Sequence, residues 1–252
     1  MKKCCVFICN EQYFSKFLTT CSALINIGKY TGDICLIIGD DLNNSSLLNN
    51  EFIISNKIII KYFKNIQFPQ SFYEINNNIT SDNRNITKTF QWHKLHLFNL
   101  YLKNWDYIFY IDCGIHILDD ITPMLSLFTK DKLVAHSDAY PTYEWKLRDQ
   151  FDKNTTQLYN KLVNEYNLDI DYFQTTILMY DTNIIEDNTF NDLLKLSIDY
   201  PISKTNEQGI IALYFTNIKA KFEQIETHNE TTFFYDYLSR NYQNKYIMLK
   251  LI

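Results

Sequence analysis

The segment Tyr107–Gly114, with the sequence YIFYIDCG, joins an apolar and aromatic run to an aspartate and a glycine. A short uncharged run of this kind, closed by a turn signal, is typical of a strand that is buried on both faces. Asp112 would then stand at the carboxyl end of that strand, which is where ligands bind in open α/β sheets. The segment therefore predicts both a central strand and a ligand-binding edge.

Strands and helices alternate on both sides of this segment. Buried strands are predicted at residues 3–9, 33–38, 57–63, 133–136 and 172–180, and helices at residues 13–27, 87–104, 142–168, 188–200 and 206–215. This alternation predicts an α/β fold with a mostly parallel central sheet flanked by helices. No internal repeat or interdomain linker interrupts the pattern, so we expect a single domain over residues 1–252.

The composition excludes several classes of partner. The 252 residues carry a formal net charge of −5, without the basic excess that nucleic-acid binding usually needs. No uncharged apolar run reaches the length of a membrane span.

The six cysteines form no C-x-x-C pair, and the apolar start is too short for a secretory signal. These features predict reduced thiols and a cytoplasmic location.

Three polar segments are candidates for chemistry. Asp112 could hold a divalent cation or a ribose hydroxyl, or it could be a solvated residue that begins a turn in which Gly114 takes a positive φ. Ser203–Ile211 (SKTNEQGII) contains the start of a predicted helix, where an acidic first turn is also favoured by the helix dipole alone. Phe173–Thr176 carries polar side chains that either line a pocket or face solvent.

The histidines and the aromatic tail give weaker signals. His93 and His96 have a spacing that can bind a metal, but without a third ligand we expect them to pack. His116 follows Asp112 by four residues and could approach the same metal. The aromatic tail could stack on acceptor sugars, but we favour packing in the core or between the copies of a homodimer. Its members are Phe233, Phe234, Tyr235, Tyr237 and Tyr242.

Taken in order, these segments resemble a retaining glycosyltransferase of the GT-A fold, close to the glycogenin-like family 8, over residues 3–215. The segments that carry the resemblance are Phe7–Tyr13 (FICNEQY), Phe90–Leu95 (FQWHKL), Trp105–Gly114 (WDYIFYIDCG), Leu118–Ile121 (LDDI), Phe173–Thr176 (FQTT) and Glu207–Gly209 (EQG). The resemblance implies a Rossmann-like GT-A domain with a nucleotide-binding half at 1–115 and an acceptor-side half at 116–252.

The resemblance also implies roles for particular residues. Asn10 and Tyr13 belong to the segment that cradles the nucleotide base in the family, and Asp112 would bind the metal or the ribose. In the family, Asp112 belongs to an Asp-x-Asp pattern whose second Asp is a main metal ligand. Gly114 stands at that second position here.

The catalytic residues implied by the resemblance lie in the later segments. Glu207 would contact the donor sugar beside the anomeric carbon, and Gln208 and Gln174 would orient that sugar. Arg84 and Lys94 could neutralise the donor phosphates.

The implied cofactor is Mn²⁺ or Mg²⁺, since both suit oxygen ligands such as the Asp112 carboxylate. His228 is a further candidate ligand for that metal. The C-terminal His-x-x-Gly-x-x-Lys element of the family is missing, because no Gly or Lys follows His228 at that spacing. The diphosphate clamp is therefore absent, rebuilt, or supplied by Arg84 and Lys94.

The function implied is hexosyltransferase activity. A sugar would move with retention from a nucleoside-diphosphate donor, a UDP-sugar, to a hydroxyl of a glycan or protein acceptor. Two alternatives stay open. One is a metal-independent transferase in which basic residues replace the ion. The other is a non-catalytic relative that binds a nucleotide sugar or a glycan.

Overall fold

The structure is a computed structural model that describes residues 1–79, 89–137, 139–140, 142–225, 233–237 and 246–250. The strands are β1 Lys3–Cys9, β2 Asp33–Ile38, β3 Ile59–Tyr62, β4 Tyr107–Ile111, β5 Ile115–Ile117, β6 Leu133–Ala135, β7 Ile177–Asp181, β8 Phe222–Gln224, β9 Phe233–Tyr237 and β10 Tyr246–Lys250. The α-helices are α1 Phe14–Asn26, α2 Glu51–Ser55, α3 Gln70–Asn76, α4 Thr122–Leu125, α5 Thr156–Glu165, α6 Thr189–Asp199 and α7 Glu207–Leu213. Shorter 3₁₀ segments are Glu11–Tyr13, Ser46–Asn49, Thr89–Phe98, Leu100–Asn104, Leu147–Gln150 and Thr182–Ile184, and a π-helical turn spans Tyr214–Ile218.

The central sheet confirms the predicted α/β fold. Within the described ranges it has seven strands in the order β3-β2-β1-β4-β7-β6-β8. The pairs β3–β2, β2–β1, β1–β4 and β6–β8 are parallel, whereas β7 is antiparallel to both β4 and β6. The carboxyl ends of β1, β2, β4 and β6 therefore meet at one edge, together with the start of β7. We call this the carboxyl edge.

Alternation along the strands builds two hydrophobic layers. In β1, Cys4, Val6 and Ile8 pack in one cluster, and Cys5, Phe7 and Cys9 pack in the other. Because successive side chains of a strand point to opposite faces, each cluster covers one face of the sheet. This is why the central strands have near-continuous apolar sequences.

Helix α1 covers one face for a reason visible in its sequence. Phe14, Phe17, Cys21 and Leu24 are buried and recur at helical spacing. They pack in the layer that contains Phe7 of β1. The predicted helix at 13–27 is thus confirmed, with its end at Asn26.

The helix predicted at 87–104 is wrong in type. Its described part is 3₁₀ at Thr89–Phe98 and again at Leu100–Asn104. The segment is buried from Trp92 to Phe98 except at the partly buried Lys94, so the burial pattern does not select between a 3₁₀ and an α-helical period.

An asparagine marks the break between the two 3₁₀ segments. Asn99 has extended backbone angles, and its side chain accepts a hydrogen bond from the backbone N–H of Tyr101 at 3.0 Å. It therefore caps the second 3₁₀ segment and interrupts the first.

A second sheet, with three strands among the described residues, has the order β5-β10-β9. β10 is antiparallel to β5 and parallel to β9. Lys250 at the end of β10 pairs with Ile115, directly after Gly114. Phe234 and Tyr235 of β9 are buried in the core, as expected from packing, whereas Tyr242 lies outside the described residues.

Candidate active site

Lys94 is the centre of a charged cluster at the carboxyl edge. Its Nζ lies 2.9 Å from Asp112 Oδ1 and 3.2 Å from Glu207 Oε1. It also donates a hydrogen bond to the Thr175 carbonyl oxygen at 3.2 Å. We call Lys94, Asp112, Thr175 and Glu207 the Lys94 cluster. Four separate elements thus contribute one residue each.

The strand order brings these four residues together. Asp112 follows β4, and its N–H donates to the Thr176 carbonyl at 2.9 Å, just before antiparallel β7 begins. Glu207 is the first residue of α7. Lys94 lies in the first long 3₁₀ segment, with 14% of its side chain exposed. The cluster therefore sits where sheet and helices meet.

Asp112 receives a second partner from its own strand. The hydroxyl of Tyr110 donates to Asp112 Oδ1. Burial, followed by the Asp112 charge, holds the pKa of Tyr110 well above its ordinary value, so the hydroxyl remains a proton donor. Asp112 is 23% exposed on its side chain, so part of the carboxylate still faces open space.

Glu207 is more deeply buried. Its side chain is 4% exposed, and its Oε1 accepts a hydrogen bond from Thr175 Oγ1 at 2.9 Å. Burial raises the pKa of the Glu207 carboxyl above its ordinary value, and the Lys94 ammonium opposes that rise. Burial lowers the pKa of Lys94, but the attraction of Asp112 and Glu207 outweighs it and raises that pKa overall. Lys94 is therefore cationic at neutral pH.

A row of amides and hydroxyls supports the start of α7. Gln208 Oε1 accepts from the Thr175 N–H at 3.3 Å, and Gln208 Nε2 donates to Gln150 Oε1 at 2.9 Å. The hydroxyl of Thr205 donates to the same Gln150 oxygen at 2.7 Å. Gln208 is thus a support for the loop before β7.

Asn206 precedes Glu207 in a strained conformation. Its φ is 54° and its ψ is −125°, a region that L-residues rarely adopt and that costs about 1–3 kcal/mol. Its amide donates to Gln91 Oε1, whereas its buried Oδ1 has no partner among the described residues. Strain together with an unpartnered polar atom is typical of a functional site.

Gln174 also has a buried side-chain oxygen without a described partner. Its N–H donates to the His136 carbonyl at 2.8 Å, and its side chain is buried. Within the described residues, its Oε1 accepts no hydrogen bond. The side-chain oxygens of Gln174 and Asn206 are therefore both buried without a described partner, close in sequence to Thr175 and Glu207.

The nucleotide-binding candidates lie at the ends of β1 and β2. Asn10 accepts a hydrogen bond from the Tyr13 N–H through its Oδ1 at 3.2 Å, so it caps the short 3₁₀ segment that leads into α1. The Glu11 N–H donates to Asp41 Oδ2 at 2.8 Å and ties this turn to the end of β2. Tyr13 is partly buried, and Lys16 Nζ lies 4.9 Å from the centroid of its ring.

Gly114 occupies a turn that a side chain would strain. Its φ is 98°, and its N–H donates to Thr20 Oγ1 of α1 at 3.0 Å. A Cβ at this position would lie 3.8 Å from Lys16 Cδ and 3.9 Å from Lys250 Nζ. The positive φ at Gly114 is the one expected if Asp112 begins a turn.

The described residues do not fit the divalent metal that the resemblance implies. Among them, no group of three His, Cys, Asp or Glu side chains is placed to hold an ion. The Asp112 carboxylate is paired with Lys94, and the side of Gly114 is approached by two lysines rather than by a carboxylate. A cation beside Gly114 would meet the ammonium group of Lys250. Arg84 and His228 lie outside the described residues.

His93 and His96, whose spacing in the sequence could suit a metal, pack in the core. His93 is buried, and its Nε2 lies 3.1 Å from the Ile38 carbonyl. The His96 ring stacks on Phe63 and on Phe190, with centroids 4.3 and 4.8 Å away. The expectation that both histidines pack is confirmed.

Sequence reasoning missed several members of the site. Asn206, Gln150, Lys16 and Lys250 had no assigned role, and Thr175 appeared only as part of a polar segment. The sequence gave one indication for Lys16, which lies three residues after Tyr13 in the predicted helix and therefore on the same side of it. Lys250 carried none, because its place depends on the pairing of β10 with β5.

Comparisons with known proteins bear on the fold of the chain. No family model matches the chain, and no curated protein matches it. A structure of the galactosyltransferase LgtC with donor and acceptor sugar analogs matches with a TM-score of 0.60 and 12% identity, over 93% of this chain and 75% of that chain. Mouse xyloside xylosyltransferase 1 matches with a TM-score of 0.53 and 9% identity, over 95% and 88%.

A third match is to a protein that is longer than this chain. The glycosyltransferase GlyE of Streptococcus pneumoniae TIGR4 gives a TM-score of 0.54 and 14% identity over 92% of this chain but 47% of its own. At such identities the likeness concerns the fold. The predicted likeness to the GT-A fold of glycosyltransferases is confirmed. In the described part of the chain, no helix has the length and apolar character of a membrane span.

Proposed function

We propose that this protein is a retaining glycosyltransferase that moves a hexose from a nucleoside-diphosphate donor, a UDP-sugar, to a hydroxyl of a glycan or protein. The observation that carries the proposal is the Lys94 cluster at the carboxyl edge of a GT-A-like sheet. Ligands in such sheets bind at this edge. The two carboxylates and one ammonium of the cluster leave an excess of negative charge when both carboxyls are ionised.

This charge suits the electrostatics of glycosyl transfer. The bond between the anomeric carbon and the diphosphate oxygen breaks, and positive charge develops on the sugar, as in glycoside hydrolysis. Glu207 would stabilise that charge from a buried position where electrostatic effects are strong. Lys94 would hold Glu207 and Asp112 in place.

The acceptor completes the reaction. Its hydroxyl oxygen forms the new bond on the face that the diphosphate leaves, and its proton passes to the departing diphosphate oxygen. This requires close positioning of donor and acceptor. The buried acceptor oxygens of Gln174 and Asn206 would orient sugar hydroxyls, and Asn10 and Tyr13 would lie against the base.

The test is release of nucleoside diphosphate from a panel of nucleotide sugars, UDP-linked ones included. Glu207→Gln keeps the size of the side chain and removes its charge, so we expect the rate to fall about 10²–10³-fold, as for the loss of one preorganised electrostatic group. Glu223→Gln, at the exposed Glu223 of β8, is the control and should keep the native rate. Equal rates in the native and Glu207→Gln proteins would contradict the proposal.

One observation favours a second candidate, a binding protein without turnover. The Asp112 carboxylate is already neutralised by Lys94, and Gly114 offers no side chain. Saturable binding of a nucleotide sugar without transfer or hydrolysis, in buffers with and without Mn²⁺, would support that alternative.

A further inference from the structure

Two lysines converge at the place where the resemblance leads one to expect a metal ligand. Lys16 comes from the first turn of α1, and Lys250 comes from the last residue of β10. If Gly114 had a Cβ, that atom would lie 3.8 Å from Lys16 Cδ and 3.9 Å from Lys250 Nζ. Elements from opposite ends of the chain thus bring basic side chains to one point.

Neither lysine is neutralised within the described ranges. Lys16 and Lys250 form no ion pair there, whereas Lys94 is paired with two carboxylates. Lys16 is exposed and Lys250 partly buried, so both side chains reach solvent. Uncompensated ammonium groups at the edge of a site attract anions and repel cations.

The position of this pair matches the layout of a nucleoside diphosphate. Lys16 Nζ lies 4.9 Å from the ring centroid of Tyr13, the residue proposed to contact the base. Gly114 follows Asp112 by two residues, a span of about 7 Å at most. The lysine pair is therefore close both to the proposed base contact and to the Lys94 cluster, where the sugar would sit.

From this geometry we propose that Lys16 and Lys250 bind the diphosphate of the donor in place of a divalent metal. This inference rests on the proposed function. The ammonium groups offset the charge of the departing diphosphate, and charge-assisted hydrogen bonds to phosphate oxygens hold it. The sequence suggested Lys94 as a phosphate ligand, but its ammonium is paired with the carboxylates of Asp112 and Glu207.

The experiment titrates inorganic pyrophosphate, UDP and uridine into the full chain in EDTA by calorimetry. Lys16→Gln and Lys250→Gln are compared with the native protein and with Lys195→Gln. Lys195 is the matched control because its ammonium is exposed and paired with Asp199 on its own helix. Thermal unfolding shows that each variant is folded.

We expect pyrophosphate and UDP to bind the native protein in EDTA. Each of the two lysine variants should weaken that binding about tenfold, as for one charge-assisted hydrogen bond, and leave uridine binding unchanged. The double variant should lose more affinity for pyrophosphate and UDP than either single variant, and Lys195→Gln should keep the native affinity. Because exposed charges are screened, the loss should shrink in high salt.

Other outcomes separate the inference from the proposed function. Binding that requires Mn²⁺ or Mg²⁺, or that survives in the double variant, would overturn the inference while leaving the transferase proposal standing. Lysine-dependent binding of pyrophosphate with no binding of any nucleotide would support the anion site and contradict the proposed function. Absence of binding by all three probes would overturn the inference.

Discussion

The ammonium of Lys94 lies 2.9 Å from the carboxylate of Asp112, and both groups are largely withdrawn from solvent. This contact joins a 3₁₀ segment to the end of the central strand β4. It also means that the strand-end aspartate is balanced by a protein cation.

Replacement of Lys94 by methionine should strongly destabilise the fold. It would leave Asp112 and Glu207 without their cation, and loss of one partner of a buried ion pair costs about 3–5 kcal/mol. Urea unfolding measures the change. Lys146→Met is the control, since the Lys146–Asp171 pair also joins distant residues but is 28% and 43% exposed and should cost about 1 kcal/mol or less. Equal losses in the two variants would contradict the structure of the cluster.

Two substitutions at Gly114 should separate backbone strain from charge. Its φ of 98° makes alanine and aspartate both strained, at about 1–2 kcal/mol of unfolding free energy. Gly114→Asp also places a carboxylate near Lys16 and Lys250. We expect it to weaken UDP binding in EDTA about tenfold relative to Gly114→Ala, through competition for the ammonium groups. The same affinity in both variants would argue against the lysine site.

Stability should fall as the pH drops below about 6.5. Burial lowers the pKa of His93, His96 and His136 to about 4, 3 and 4. Between those values and 6.5 the unfolded chain binds more protons, so the stabilisation is complete above 6.5 and is lost as pH falls through the folded pKa values. Each histidine contributes up to about 1.4 kcal/mol per pH unit.

Unfolding in urea between pH 7 and pH 5 tests this. His136→Gln removes one titrating group, so its stability should depend less steeply on pH than that of the native protein. Glu207 acts in the opposite direction, because its raised pKa gives a contribution that is complete at low pH and is lost as pH rises. A stability that does not change over this range would contradict the burial of the three histidines.

The cysteines should be unreactive in the folded protein. All six are buried, and burial raises the pKa of Cys21 and Cys35 to about 12. Since the thiolate is the reactive form, a thiol reagent at pH 8 should label the native chain slowly and all six thiols at once in denaturant. Rapid labelling of any cysteine under native conditions would contradict this packing.

Much of the fold could be predicted from local pattern. The buried runs at β1, β2 and β4 and the amphipathic face of α1 have periods that their own residues specify. The type of the 89–98 helix could not be predicted as readily, because its apolar residues fit both a 3₁₀ and an α-helical period over a short span. The break at Asn99 depended on a side-chain cap rather than on hydrophobicity.

The site was predictable in position but not in its electrostatics. Asp112 and Glu207 were recognisable from their places at a strand end and a helix start. The pairing of both carboxylates with Lys94 could not be predicted. Lys94 also contacts Thr175, 81 residues away in the chain, and this contact depends on the antiparallel placement of β7. The strain at Asn206 likewise depends on the loop that enters α7.

Local pattern specifies the alternation of strands and helices and the exit of Asp112 from a buried strand, because both depend on the spacing of neighbouring residues. The pairing of Lys94 with Asp112, and the placement of Lys16 and Lys250 beside Gly114, arise only when distant parts of the chain meet. The charge environment of a side chain comes from elements far away in the chain, and their meeting depends on strand order and register.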